Sequence, residues 1–157
     1  MTKHSPDISP TIGAMLKSAR DWLTHEHSLF QSLNLEPMLI GKGRATFAVD
    51  LPENFASAEG VIHGGLMTII MDSIFGLTVF TALEELKPIA TINLRTDYIA
   101  DAAPGTRVIC TATCAHVRGD VAHVSGDVKS HESNTLFATG SGAFIVGARG
   151  LTKGSRL

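Results

Sequence analysis

The residues best placed to do chemistry lie in one short run, Gly60-Val61-Ile62-His63-Gly64-Gly65, with Asp72 nine positions after His63. Glycine just ahead of a helix lets a ligand come against bare backbone. The unpaired N–H groups and the positive dipole end there favour negative charge. A carbonyl under attack gathers such charge on its oxygen, and backbone donors aimed at it form an oxyanion hole. The bland alternative is a glycine-rich loop with a satisfied histidine. Asp72 is the only charged side chain between His63 and Glu84. A carboxylate in such an apolar run is uncommon unless paired or functional, and it suits a general base or a nucleophile. Its bland alternative is a structural bridge at an interface.

These residues must be held by the elements around them. Residues 64–84 read as one helix, apolar on nearly every side, and such a helix is buried all round. The run from Val61 to Leu83 is long enough for a bilayer. Asp72 near its middle costs roughly 3 kcal/mol on insertion, so a buried core helix is the reading. From Gly64 to Asp72 is eight residues, about 12 Å of helix rise. One carbonyl cannot touch both, so a shared reaction needs a second copy of the chain.

Before this helix, apolar residues at three- and four-residue steps (Ile12, Met15, Leu16, Ala19, Leu23) predict a helix over 10–33. A hairpin follows: 38–40, a Gly41-Lys42-Gly43 turn, then 44–51, where Ala45, Phe47, Val49 and Leu51 alternate with polar or small residues. Residues 52–62 form a loop. Four strands follow over 89–100, 106–117, 121–130 and 135–147, separated by turn chemistry. The layout is α+β: a curved antiparallel sheet wrapped around a long central helix. Glycines 126, 140 and 142 would let the sheet pass close to that helix. The units are an N-terminal helical extension (1–34), the main domain (35–147) and a flexible C-terminal tail (148–157).

The chain has 157 residues, 44% hydrophobic and 18% charged, with net charge −2. That is one domain's worth of core, and it excludes a disordered chain and the basic profile of a nucleic-acid binder. Two cysteines exclude a disulfide scaffold. Cys110 and Cys114, four apart on one strand, would have Cα atoms about 13 Å apart, too far to bridge. Free thiols and an N-terminus without an apolar signal segment point to the cytoplasm. No metal-ligand spacing stands out around His116 and His123.

The His63-Gly64-Gly65 turn, Asp72, the strand Asn93-Leu94-Arg95-Thr96-Asp97-Tyr98 and Pro104-Gly105 resemble the hotdog-fold acyl-CoA thioesterases of the PaaI-like, phenylacetate-pathway type. The resemblance covers about residues 35–147. It implies the hotdog fold, assembled as a homodimer or homotetramer. It also implies roles: Gly64 N–H polarises the thioester carbonyl, His63 orients the site, and Asp72 from the opposite subunit is base or nucleophile. Thr91 positions the attacking water, and Gly65 borders the substrate. The family usually carries Asn or Gln six residues before the histidine, where this chain has Ser57; Asn54 is the nearby substitute. Arg118 and Arg149 are candidates for the CoA phosphates. No metal or cofactor is implied beyond the coenzyme A of the substrate.

The leading expectation is hydrolysis of a small or medium acyl-CoA, aliphatic or aromatic, to carboxylate and CoA. The alternative is a non-catalytic acyl-CoA-binding or sensing protein on the same fold, which Ser57 keeps open. A hotdog dehydratase pairs its histidine and acid at a different spacing.

Overall fold

A computed structural model describes residues 3–4, 10, 14 and 28–148. The predicted helix over 10–33 falls largely outside the described residues, and so does the tail beyond 148. The elements are β1 (Lys3–His4), α1 (Ser28–Leu33), β2 (Glu36–Gly41), β3 (Arg44–Asp50), α2 (Gly65–Ala82), β4 (Ile89–Tyr98), β5 (Arg107–Arg118), β6 (Val121–Ser130) and β7 (Leu136–Val146). They form one sheet in the order β1-β2-β3-β5-β6-β7-β4, antiparallel except for the short β1–β2 pair. The described parts of 1–34 join this body: β1 pairs with β2, and Leu33 at the end of α1 is fully buried.

Local chemistry explains the elements. The β2–β3 hairpin turns at Lys42-Gly43, and Gly43 takes φ +64, a left-handed angle that glycine adopts without a Cβ clash. In β3 the alternation holds: Ala45, Phe47 and Val49 are buried on the helix side. Ala48, on the other face, is buried as well, so that face is not uniformly open.

α2 lies across the concave side of the sheet and packs against β3 through β7. Ile70, Met71, Ile74, Phe75 and Val79 are fully buried, and each such apolar side chain contributes about 1.5–3 kcal/mol. Ala112, Gly126 and Gly140 stand side by side across β5, β6 and β7. A Cβ on Gly126 would lie 2.8 Å from Phe75 Cε1, and one on Gly140 would lie 2.7 Å from Met71 Sδ. The sheet reaches the helix because these positions are bare. Gly142 differs: its Cβ would meet Asn93 O of β4 at 2.9 Å, so it makes room for a neighbouring strand, not for α2.

By length and composition alone α2 could cross a membrane, but one side of it is sealed against the sheet. The sheet does not enclose it. Ile69, Asp72, Ser73, Leu77 and Phe80 stay half-buried, so the expected cover on every side is missing from a single chain. One curved sheet has one concave face, and it covers one side of a cylinder.

Candidate active site

The loop from β3 to α2 is fixed before the helix begins. A 3-10 turn at Glu53–Phe55 is followed by an isolated bridge between Ala56 and Ile62. The Ile62 amide donates to Ala102 O at 2.9 Å, and the His63 amide donates to Phe55 O at 2.9 Å. These bonds aim His63-Gly64-Gly65 into α2. His63 Nδ1 then accepts the Gly65 N–H at 3.0 Å, which leaves the proton of the neutral ring on Nε2. The Leu66 and Met67 amides donate to His63 O and Gly64 O at 2.9 Å each. The Gly64 N–H meets no acceptor among the described residues. It is the open donor of this helix start, beside the positive end of the dipole.

Each glycine of the pair leaves room for one ring. Gly64 has ordinary helical angles, φ −54 and ψ −32, so conformation does not require glycine there. A Cβ on it would stand 3.1 Å from Tyr98 Cε1, and one on Gly65 would stand 2.9 Å from His63 Nδ1.

Asp72 sits two turns further along α2, half-buried on its outer side. Thr91 Oγ1 donates to Asp72 Oδ1 at 2.8 Å. That contact depends on an irregularity in β4. Leu94, Thr96 and Tyr98 pair with Gly142, Gly140 and Ala138, and strict alternation from these would turn Thr91 to the opposite face. The register shifts between Thr91 and Asn93, with Ile92 as the extra residue, and Thr91 comes round to face α2. Bulges beside sites commonly re-aim one side chain in this way.

At the other end of β4, Thr68 Oγ1 donates to Thr96 Oγ1 at 3.0 Å and lies 2.8 Å from the Tyr98 hydroxyl. Thr68, Thr96 and Tyr98 were not identified from sequence as site residues. The usable signal was that Tyr98 is the only tyrosine in the chain.

The remaining sequence candidates are dispersed. Ser57 is committed to its own turn: its Oγ accepts the Glu59 N–H at 3.3 Å. The Ser57 hydroxyl, with a smaller contribution from the Glu59 backbone, holds the Glu59 carboxyl below its ordinary range. Asn54 is exposed on the 3-10 turn, and its amide has no partner among the described residues. Arg118 is exposed at the end of β5, and Arg149 lies outside the described residues. Cys110 and Cys114 are free and share β5.

Comparison with known proteins fits this geometry. The sequence model of the thioesterase superfamily matches residues 59–137, a stretch holding His63, Gly64, Asp72, Thr91 and Tyr98. Among curated proteins none matches. A conserved protein of Pseudomonas aeruginosa is similar at 25% identity and TM-score 0.71, over 82% of this chain and 98% of that one. The E. coli PaaI protein of the phenylacetic acid degradation operon is similar at 12% identity and TM-score 0.76, over 88% and 95%. A Streptococcus mutans protein bound to acetyl CoA is similar at 18% identity and TM-score 0.68, over 78% and 95%. The fold is the hotdog, and the chain is of the thioester-hydrolase class. This chain belongs to the thioesterase superfamily.

Proposed function

We propose that this chain hydrolyses the thioester of a small or medium acyl-CoA, aliphatic or aromatic, to a carboxylate and free CoA. The observation that carries the reading is a Gly64 N–H with no acceptor among the described residues at the start of α2, and Asp72, further along that helix, held by Thr91 of β4, in a member of this superfamily. The similar Streptococcus mutans protein is bound to acetyl CoA, which supports a CoA thioester as substrate. Asp72 activates a water, or attacks directly. The electron pair of the carbonyl moves to oxygen, where the Gly64 N–H and the helix dipole stabilise it. Where water attacks, collapse expels the CoA sulfur and the proton taken up by Asp72 leaves with it; where Asp72 attacks, collapse expels the CoA thiolate and leaves a mixed anhydride on Asp72, which water then hydrolyses to the carboxylate. His63 holds the helix start through Gly65, Asn54 faces the substrate from the loop, and Arg118 and Arg149 meet the phosphates of CoA. The scheme needs no metal and no cofactor beyond the substrate's own CoA. Free thiols in the chain fit a cytoplasmic setting.

The working unit we propose is a homodimer, or a dimer of such dimers. β4 is an edge strand and an edge is open to pairing. It is tied to Asp72 at Thr91 and to the first turn of α2 at Thr96 and Tyr98. Antiparallel pairing of β4 with its copy about Leu94–Arg95 would bring the Asp72 end of one chain opposite the Gly64 end of the other. Half-exposed Ile69, Leu77 and Phe80 on α2, with exposed Ile92 and Ile99, supply apolar surface for it.

Ser57 favours a second reading, because a hydroxyl spent on its own turn does not replace an amide facing the thioester. On that reading the protein binds acyl-CoA without cleaving it. A thiol-release assay across aliphatic and aromatic acyl-CoAs separates the two. Turnover of at least one thioester supports the hydrolase, and tight binding of several with no CoA release supports the binder.

A further inference from the structure

Tyr98 ends β4 with 57% of its surface exposed, so burial alone does little to hold it. It nevertheless meets the start of α2 twice, through one edge of its ring and through its hydroxyl. Its ring carbons lie 3.1–3.4 Å from the place a Gly64 Cβ would take, and its hydroxyl lies 2.8 Å from Thr68 Oγ1. A hydroxyl has one proton. Thr68 gives its proton to Thr96, so it accepts from Tyr98. The chain Tyr98 to Thr68 to Thr96 therefore runs in one direction and crosses from β4 to the first turn of α2. Thr68 is four residues beyond Gly64, one helical turn along the same face.

We infer that Tyr98 is a positioning residue that fixes the aim of the Gly64 N–H. The inference rests on the thioesterase reading and adds a residue to it. On the loop side, the helix start is held by the His63 and Ile62 amides. On the sheet side, Thr68 carries the only side-chain hydrogen bonds from this first turn to β4 among the described residues. Releasing the Tyr98 hydroxyl removes one of the two bonds that tie this turn to the strand and leaves it held by Thr96 alone. An oxyanion donor acts most strongly when charge has developed, so a misaimed donor lowers kcat while leaving substrate binding nearly intact.

The test compares Tyr98→Phe, Thr68→Val, Thr68→Ser and the Tyr98→Phe/Thr68→Val double variant, by steady-state thiol release and by the NMR signal of the Gly64 amide. Tyr98→Phe should lower kcat about 5-fold, the worth of one neutral hydrogen bond, with KM within about 2-fold. Thr68→Val should lower kcat at least as much, because it removes the bond to Thr96 as well, and the double variant should fall no further than Thr68→Val, because the Tyr98 hydroxyl then has no partner left on the helix. Thr68→Ser keeps the hydroxyl and should retain wild-type kcat. The Gly64 amide signal should move or broaden in every variant except Thr68→Ser. Wild-type kcat with an unmoved Gly64 signal in Tyr98→Phe overturns the inference, and so do additive losses in the double variant. If the wild type cleaves no thioester, the hydrolase reading has failed, and the Gly64 signal alone decides the role of Tyr98.

Discussion

Replacing Asp72 with Asn isolates the chemistry of that carboxylate from its place in the fold. Asp72 Oδ1 accepts the Thr91 hydroxyl at 2.8 Å, and Asn offers an oxygen in the same position. The side chain is half-buried on the outer side of α2, and the change alters its volume little. The contact and the packing persist, and what is lost is the negative, proton-accepting oxygen. A general base is worth about 10²- to 10⁴-fold in rate, or roughly 3–5 kcal/mol on the barrier. Weakening one charge-assisted bond from Thr91 costs stability only about 1 kcal/mol, a melting shift of roughly 2–4 °C for a chain of this size. Continuous thiol release from the best acyl-CoA should therefore show kcat lower by at least about 10²-fold, with KM nearly unchanged and the protein folded. A variant that keeps kcat within about 5-fold of wild type would refute a catalytic role for Asp72, and with it the reasoning that ties a lone carboxylate on this helix to the reaction.

Two further predictions concern the fold. Gly126→Ala would place a Cβ 2.2 Å from Thr111 O and 2.8 Å from Phe75 Cε1. A backbone carbonyl cannot step aside, so the variant should lose about 3 kcal/mol or more and melt at least about 6 °C lower; wild-type melting would contradict the close approach of sheet and helix. Burial pushes the Cys110 thiol far up, with the Asp127 charge a smaller contribution, and burial also raises Cys114. A thiol reagent at neutral pH should leave Cys110 unlabelled in the native protein, label Cys114 slowly, and reach both after denaturation. The same shifts make the unfolded chain lose these protons first. Stability should then fall as pH rises past about 8.5, the free-thiol value, and rapid native labelling of Cys110 would contradict its burial.

Much of the fold was legible because it follows from periodicity and punctuation. The expected helix over 64–84 is α2, Gly65–Ala82, and the expected strand over 121–130 is β6 to the residue. Gly126 and Gly140 hold the close passage expected of them, while Gly142 serves the β7–β4 contact. Two things were hidden. A single hydrophobic pattern cannot show which side of a helix the sheet covers, so the half-exposed side of α2 went unseen. Nor can alternation show a bulge, and Thr91 faces Asp72 only because the register shifts beside Ile92. The run His63-Gly64-Gly65 advertised a helix start open to a ligand. Its partner ring was out of sight, because Tyr98 reaches Gly64 across more than thirty residues of chain.

The sharpest test of a reaction shared between Gly64 of one copy and Asp72 of another is to mix two inactive variants. Gly64→Val sets a side chain where Tyr98 already stands, and Asp72→Asn removes the carboxylate. Each alone should be nearly inert. Equal mixing with subunit exchange makes about half of the dimers hybrid, each with one intact site, so thiol release should recover to about a quarter of wild type. Mixed samples that exchange subunits and stay as inert as their parents would contradict the shared site.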